Sequence, residues 1–218
     1  MSEPTPLLIY GASGHAKVVI DIVECEARHR IVGVLDDDPT RHGSLFCGHE
    51  IIGGGDRLDG DRYRDCRLLL TIGDNRVRSS LGERIGSLEY KFAVAVHPSA
   101  QIARDVTLGP GTVVMANVAV NLGTTIGDHA IVNTGATVDH DCVIGDFVHI
   151  SPGAHLAGGV CVGPLTHIGI GASVIQEIRI GANVTVGAGA VVVEDLIDGV
   201  VAVGVPARAI ESDRGAAR

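Results

Sequence analysis

The sequence predicts an α/β domain with a small parallel sheet, followed by an all-β domain that is a parallel β-helix built from hexapeptides. Over about the first 90 of the 218 residues, strand-like and helix-like segments alternate, as is typical of parallel α/β domains. Every sixth residue from 102 to 192 is aliphatic, without a break. The chain also contains 30 glycines and only 3% aromatic residues, which suits a narrow column with many corners. We expect the first domain to cover residues 1–97 and the second to cover 98–218.

The elements of the first domain follow from short apolar runs separated by polar turns. The predicted elements are, in chain order, a strand at 7–10, a helix at 17–24, strands at 31–35 and 67–72, and a helix at 75–85. Because consecutive strands are joined through helices, the strands should lie parallel, with their carboxyl ends at one edge of the sheet.

The hexapeptides divide the second domain into coils of three hexads each. A period of six fits neither an α-helix nor an alternating strand and is typical of hexapeptide β-helices. The fifth position of each hexad is small or β-branched and should also face inward. The second position is often glycine, and the many glycines in general suit the corners, where glycine tolerates positive φ. Residues three hexads apart should stack one coil above another, about 4.8 Å apart.

Composition excludes several functional classes. The net charge is −9 and only two lysines occur, so we expect no nucleic-acid binding. No apolar run approaches the length of a membrane-spanning helix, and no basic segment followed by an apolar one opens the chain, so we expect neither a membrane span nor a signal peptide. The five cysteines form no CxxC pair, which indicates reduced thiols in a cytoplasmic protein.

His140 is the strongest catalytic candidate in the column. It occupies the third position of its hexad, where a side chain faces outward near a corner, and it lies between Asp139 and Asp141. A neighbouring carboxylate can raise the basicity of an imidazole and fix its tautomer, as a general base requires. The alternative is an ordinary surface histidine among acids. Gly158 lies one coil later, so its backbone amide and that of Gly159 could approach a substrate carbonyl, unless these glycines only form the corner.

Other histidines occupy the sixth hexad position, and among them His149 and His167 are one coil apart and should stack on one face. They could bind a metal, contact a ligand or lie at a subunit interface. The γ-type carbonic anhydrases, which hold zinc between column-shaped subunits, use a histidine pair spaced by five. No such spacing occurs here, so we expect no metal site.

Polar residues that could bind a nucleotide follow three strands of the first domain. The loop Gly11-Ala12-Ser13-Gly14-His15 leads from a strand into a helix, where backbone amides can bind phosphate. Asp36 and Asp37 end the second strand, where Rossmann-like domains contact a ribose, although a plain turn would look the same. Asp74 and Asn75 follow the later strand, so all three groups should meet at one edge.

These motifs together resemble the bacterial nucleotide-sugar N-acetyltransferases of the PglD/NeuD/PerB type over residues 6–210. The resemblance rests on the Gly11 loop continuing to Val19, on Asp36-Asp37-Asp38-Pro39, on Ile72-Gly73-Asp74-Asn75, and on unbroken hexads containing Asn133-Thr134-Gly135-Ala136 and Asp139-His140-Asp141. It implies a Rossmann-like first domain, a left-handed β-helix, a homotrimer, and acetyl transfer from acetyl-CoA to the 4-amino group of a nucleotide-linked deoxysugar.

The resemblance also assigns residues. His140 is expected to be the base, supported by Asp141 where the family often has glutamate, with Asn133 near the reacting centre. The nucleotide sugar is expected at Gly11, Ser13, Gly14, His15, Asp36, Asp37 and Asp74. Acetyl-CoA is expected at His149, Ile170, Gly187, Ala188, Pro206 and Arg208, the last two in a tail that covers the coenzyme in hexapeptide acyltransferases.

Three functions remain open at the level of sequence. The first is N-acetylation by direct attack of a neutral amine on the thioester, without an acyl-enzyme, because Cys142 should face inward. The second is O-acetylation of a sugar such as sialic acid. The third is a trimeric scaffold that binds a nucleotide sugar without catalysis. The base of the nucleotide is not indicated by any side chain.

Overall fold

The first domain is a parallel α/β sheet with a helix packed on each side. The computed structural model describes residues 3–210. The elements are β1 (Thr5–Tyr10), α1 (Gly14–Glu26), β2 (His29–Leu35), β3 (Leu45–Phe46), β4 (His49–Gly53), β5 (Arg67–Leu70), α2 (Asn75–Gly86) and β6 (Lys91–Phe92). The sheet order is β3-β4-β2-β1-β5-β6, and only the β3–β4 pair is antiparallel. The five predicted elements are therefore confirmed, whereas the short strands β3, β4 and β6 had no apolar run long enough to predict them.

The second domain is a three-sided column of two-residue parallel strands. Its first face contains Ala95–Val96, Val113–Val114, Ile131–Val132, His149–Ile150, His167–Ile168 and Thr185–Val186; its second face contains Gln101–Ile102, Ala119–Val120, Thr137–Val138, His155–Leu156, Ser173–Val174 and Val191–Val192; its third face contains Thr107–Leu108, Thr125–Ile126, Val143–Ile144, Cys161–Val162 and Arg179–Ile180. Each strand pairs with the strand three hexads later, as in Thr137↔His155, which confirms the predicted coil.

The aliphatic side chains at the first position of the hexads, together with the small ones at the fifth, fill the inside of the column. The buried residues of this core include Val120, Val138 and Leu156 from first positions and Ala136 and Cys142 from fifth positions. The first strand of the column, Ala95–Val96, begins two residues before the proposed domain boundary at 97. That boundary stays a prediction.

The backbone at the corners shows which hexad position adopts positive φ. Positive φ occurs at the fourth position of every hexad from 111 to 189, whether or not the residue there is glycine. Second-position glycines do not adopt positive φ. They are needed because the next coil lies too close: a Cβ on Gly163 would lie 2.6 Å from the backbone nitrogen of Ala182.

The first domain packs on the first face of the column. A single apolar cluster joins α1 residues such as Ala16 and Val19 to Val113 and Ile131 of that face. The described part of the chain ends in a hairpin of Val201–Val203 and Arg208–Ile210, whose first strand extends the first face by pairing with Thr185–Val186. Residues 211–218 of the predicted tail lie outside the described part. No helix within residues 3–210 is long and apolar enough to cross a membrane.

Candidate active site

His140 lies at the corner between the second and third faces, with its side chain 61% exposed. Its Nδ1 atom is 2.9 Å from Oδ2 of Asp141, so the shorter aspartate reaches the ring. Asp141 occupies the left-handed fourth position of the hexad, with φ of 57°. Among the described residues, Nε2 of His140 has no hydrogen-bond partner. The corner therefore presents an imidazole that is oriented through one nitrogen and free at the other.

Two residues from the coil before hold this corner in place. The amide of Asn121 donates to Oδ1 of Asp139 (2.7 Å), and the same oxygen accepts the backbone N–H of His140 (2.8 Å). From inside the column, Thr124 Oγ1 donates to the carbonyl of Asp139 (2.7 Å). The sequence analysis missed Asn121 and Thr124. Both could have been identified from the sequence, because they lie one coil before Asp139 and Cys142.

Glycines above and below this corner leave room for the side chains. A Cβ on Gly158 would lie 2.5 Å from both Nε2 and Cε1 of the His140 ring, and a Cβ on Gly123 would collide with the Asp141 carboxylate. The predicted stacking of Gly158 on His140 is thus confirmed. The N–H of Gly159 already donates to the His140 carbonyl (2.8 Å), so it does not face a substrate. A catalytic role for the Gly158 backbone stays a prediction.

The electrostatic surroundings of His140 favour a base. The hydrogen bond that Nδ1–H donates to Asp141 raises the pKa of the imidazole above its usual value, and the charges of Asp139 and Asp141 act in the same direction. The Asn121 amide and the His140 N–H lower the pKa of Asp139, which keeps it ionised. A histidine paired with a carboxylate, as His140 is with Asp141, can accept a proton from a nucleophile near neutral pH.

The predicted coenzyme residues lie along a different corner, between the first and second faces. Ile170, Gly187 and Ala188 occupy turns of this corner in two successive coils, and Asn133, predicted to lie near the reacting centre, occupies the same corner two coils before Ile170. The tail joins the same corner, because the Val191 carbonyl accepts the N–H of Ala207 (2.7 Å). In this tail Pro206 is exposed, and Arg208 Nη2 lies 3.5 Å from Oε1 of Glu194.

His149 lies beside this corner on the first face, under the first domain. Its Nε2 atom is 3.2 Å from the Asn133 amide nitrogen, and its ring stacks edge-on against His167 with centroids 4.9 Å apart. Burial, with the nearby charges of His167, Arg78 and His15, lowers the pKa of His149 to about 3. The ring is therefore neutral and can accept a hydrogen bond from Asn133.

The predicted nucleotide residues meet at one edge of the sheet. Because β1 pairs with both β2 and β5, the three polar groups after these strands are neighbours. Ser13 precedes α1 and donates through Oγ to the carbonyl of Thr71 (3.1 Å), whereas Gly14 is exposed, with open space around its α-carbon. His15 is half-buried, and burial lowers its pKa to about 4.

The acidic residues at this edge have different partners. Asp36 Oδ2 accepts the N–H of Ala12 (2.9 Å) and pairs with Arg41 (2.9 Å), so it closes the Gly11 loop. Gly11 itself has φ of 108°. Asp74 caps α2 by accepting the backbone N–H groups of Arg76 and Val77 (2.9 Å each).

A buried arginine that the sequence analysis did not single out fixes the first domain to the column. Arg78 is 1% exposed and donates to the carbonyls of Ile72, Gly73, His129 and Phe147 and to Oδ1 of Asn75. Asn75 in turn donates to the Leu165 carbonyl (3.1 Å). Beside this clamp lies a cleft of about 600 Å³ lined by Gly73, Asp74, Asn75, Arg76, Leu165, His167, Asn183 and Thr185.

Within one chain, then, the predicted residues form two groups and not one. The nucleotide edge, Asn133, His149 and the coenzyme corner are on or beside the first face, whereas His140, Asp141 and Gly158 lie at the corner on the far side of the second face. Elsewhere in residues 3–210, one set of potential metal ligands has donor atoms within 4.8 Å of one another, namely Asp21, Cys25 and His97. It lies in neither group.

The chain matches two protein-family models and a curated relative. The model of the PglD N-terminal domain matches residues 6–85, and the bacterial transferase hexapeptide model (six repeats) matches residues 123–158. The UDP-N-acetylbacillosamine N-acetyltransferase of Bacillus subtilis (strain 168) is 40% identical over 111 residues. That match covers 50% of this chain and 50% of the relative, so the chain matches about half the length of this curated relative.

Solved structures match over nearly the whole chain. PerB from Caulobacter crescentus, in complex with CoA and GDP-perosamine, is 44% identical, with a TM-score of 0.88 and coverage of 94% of this chain and 97% of that one. The acetyltransferase domain of PglB from Neisseria gonorrhoeae FA1090, in complex with acetyl coenzyme A, is 38% identical, with a TM-score of 0.88 and coverage of 95% and 100%. WeeI from Acinetobacter baumannii AYE is 27% identical, with a TM-score of 0.85 and coverage of 94% and 99%.

Proposed function

The chain belongs to the family of nucleotide-sugar N-acetyltransferases that includes perosamine N-acetyltransferase and the acetyltransferase domain of PglB, and from that premise we propose that it transfers acetyl from acetyl-CoA to the 4-amino group of a nucleotide-linked deoxysugar. The observation that supports this most directly is the His140–Asp141 pair, with Nε2 of the imidazole unbonded and facing the space that Gly158 leaves. An alanine variant of a histidine in the Caulobacter enzyme has been solved with CoA and GDP-perosamine, so a histidine of that relative has been a target of substitution.

In the proposed reaction His140 acts as the general base. The neutral amine attacks the carbonyl carbon of the thioester while Nε2 takes one of its protons, and the carbon–sulfur bond then breaks as the proton passes to the departing thiolate. Asp141 holds Nδ1 protonated and stabilises the imidazolium that forms. Because the amine attacks the thioester directly, no acyl-enzyme is required. Cys142 is fully buried inside the column, so it is not available as a nucleophile.

A second copy of the chain is part of the proposal, because a single chain keeps the two groups at different corners. Rotation about an axis parallel to the columns would place the His140 corner of one copy beside Asn133, His149 and the first domain of its neighbour. We therefore propose a homotrimer with three shared sites. Acetyl-CoA would lie along the corner formed by Ile170, Gly187 and Ala188, under the tail containing Pro206 and Arg208.

The sharing of sites can be tested by mixing two inactive variants. His140→Ala removes the base and Asn133→Ala alters the other group, so each homotrimer should be inactive. In co-expressed mixtures about a quarter of the shared sites would join two intact groups and recover activity in that proportion. Mixtures that stay inactive, in trimers shown by mass to be mixed, would place the two groups in one chain's site or in none.

The reaction itself is tested by CoA release with purified protein, acetyl-CoA and a panel of nucleotide-linked amino sugars. N-acetylation predicts turnover with the 4-amino sugar and none with its 4-hydroxyl analogue. Preference for the hydroxyl compound would support O-acetylation. Nucleotide binding without CoA release from any sugar would support the trimeric scaffold. In each case His140→Ala should abolish turnover while acetyl-CoA binding persists.

The site of action proposed is the cytoplasm. Acetyl-CoA and nucleotide sugars are both cytoplasmic metabolites, and all five cysteines of the chain are unpaired, as is usual in a reducing compartment. Selective labelling of thiols in intact cells tests this placement, since Cys25 and Cys47 are exposed and would react only with reagents that cross the inner membrane.

A further inference from the structure

A second cleft, of about 450 Å³, opens at the nucleotide edge of the first domain, on the outer side of α2. It is lined by Asp37, Ile72, Arg76, Val77, Ser80, Leu81 and Arg84. Asp37 and Ile72 follow β2 and β5, the two parallel strands on either side of β1, at the carboxyl edge where ligands of open α/β sheets bind. Ile72, Val77 and Leu81 give the cleft an apolar wall against which a flat ring can pack. The inference that follows rests on the proposed function, and it concerns which nucleotide the substrate contains.

The polar end of this cleft is a fixed chain of three side chains. The Tyr10 hydroxyl donates to Asp37, at 2.7 Å from Oδ1 and 2.9 Å from Oδ2, and accepts from Nη2 of Arg84 at 2.7 Å. Oδ1 of Asp37 also accepts the N–H of Gly55 at 2.9 Å. Burial and the neighbouring carboxylate raise the pKa of Tyr10, so its hydroxyl stays a donor.

Both charged side chains of this hydrogen-bonded group, Asp37 and Arg84, keep capacity for further hydrogen bonds. A carboxylate has about four lone-pair positions, and the Tyr10 hydroxyl and the Gly55 N–H leave roughly two of them open on Asp37. Arg84 has about five N–H donors, of which only those on Nη2 contact Tyr10. By contrast, the carboxylate of Asp36 is already occupied by Ala12, Asp38 and Arg41. Asp37 is therefore the carboxylate that is available to a ligand.

We propose that this cleft selects guanine, so that the substrate is a guanosine-diphosphate-linked amino sugar, with Asp37 accepting N1–H and N2–H and Arg84 donating to O6. Of the common bases, guanine alone has two adjacent N–H donors on its Watson–Crick edge, which match the two oxygens of one carboxylate. In uracil and thymine the second of these places is the O2 acceptor, which a carboxylate repels. Adenine and cytosine place a ring-nitrogen acceptor at the centre of the edge.

The relatives do not determine the base, because their names contain different nucleotides. The Caulobacter structure contains GDP-perosamine, whereas the Bacillus relative is named for a UDP sugar. The choice for this chain therefore has to be argued from its own side chains. Asp37 and Arg84 provide that argument through their open acceptor and donor positions.

The test is calorimetric titration of the full-length protein with GDP, UDP, dTDP, ADP and xanthosine diphosphate (XDP). The wild type should bind GDP at least about tenfold more tightly than each other nucleotide, since one lost charge-assisted hydrogen bond is worth that much or more. Equal affinity for GDP and UDP would overturn the proposal.

The variant Asp37→Asn should change which base the protein prefers, and not merely weaken nucleotide binding. The Gly55 N–H keeps the amide oxygen on its own side, so the NH2 group of the new side chain would replace the second acceptor with a donor. Xanthine, with N1–H beside the O2 acceptor, matches that pair, and XDP should bind at least about tenfold more tightly than GDP. Arg84→Met should weaken GDP and XDP alike. Asp59→Asn, at an exposed carboxylate outside the cleft, is the matched control and should leave the order GDP over UDP unchanged.

A loss of all nucleotide binding in Asp37→Asn, with an unchanged thermal midpoint, would also overturn the guanine assignment. The assignment requires that this variant bind XDP more tightly than GDP. These measurements need no acetyl transfer. If the protein selects GDP but never releases CoA, the acetyltransferase proposal fails while the base assignment stands.

Discussion

Replacing Gly158 with alanine tests the geometry of the His140 corner with a single methyl group. The new Cβ would lie 2.5 Å from Nε2 and Cε1 of the imidazole, whereas carbon atoms in contact are about 3.5–4.0 Å apart. The ring must therefore move by about 1 Å, because Gly158 is fixed between backbone groups of adjacent coils. Gly158 does not have positive φ, so alanine introduces no backbone strain. The exposed ring can swing away at little cost in stability.

The expected effect of Gly158→Ala is on turnover and not on folding. A displacement of about 1 Å at a reacting group costs on the order of 100-fold in rate, which is about 2.7 kcal/mol of transition-state stabilisation. The kcat for CoA release should fall by that factor, while the thermal midpoint and acetyl-CoA binding stay near wild type. Gly60→Ala is the matched control, since a Cβ there meets open space without positive φ. Full turnover by Gly158→Ala would refute the placement of the base beside this glycine.

Three further predictions concern pH and domain packing. Asp141→Asn removes the largest cause of the raised pKa of His140, so the acid limb of the kcat–pH profile should move to lower pH, and an unmoved limb would mean that another group titrates. Arg78→Met leaves buried carbonyls without donors and should lower stability by about 3 kcal/mol, or roughly 6–12 °C in Tm, whereas the exposed Arg104→Met should not. His129 is buried between Phe92 and Phe147 with its pKa lowered to about 4, so the unfolded chain binds more protons below about pH 6.5 and stability should fall from there toward pH 4. His129→Leu, which matches Leu165 at the same left-handed position two coils later, should flatten that fall in denaturant titrations; an equal slope would place the acid sensitivity elsewhere.

The column was predictable because its repeat assigns a location to each residue. Inward packing of Val138 and Cys142, the stacking of His149 on His167 and that of His140 on Gly158 all follow from the hexad and from the coil of three hexads. What the repeat does not contain is the conformation of each corner. Glycine content suggested corners with positive φ but not which hexad position adopts it; the backbone adopts it at the fourth position, which Asp141 and His129 occupy as well as several glycines.

The packing of the first domain on the column was not predictable from either domain alone. Arg78 reads in the sequence as one more charged residue of an amphipathic helix, because nothing local shows that its side chain is buried. Its acceptors are carbonyls of a loop and of two successive turns at one corner of the column, which come together only when the domains pack. The same holds for the Tyr10–Asp37–Arg84 chain, whose members are separated by up to 74 residues.

The proposed division of the site between two corners accounts for the different environments of the histidines on the column. The first face is covered by the first domain, and its histidines are kept neutral by burial. The His140 corner is exposed, and its histidine has a raised pKa. A buried neutral imidazole suits positioning and hydrogen bonding, whereas an exposed imidazole with a carboxylate partner suits proton transfer. These two environments cannot be combined at one corner of a single narrow column, because the packing that buries one histidine would also desolvate the other. The proposed homotrimer resolves the conflict, since each environment is built within one chain and the two would meet only across the interface between copies.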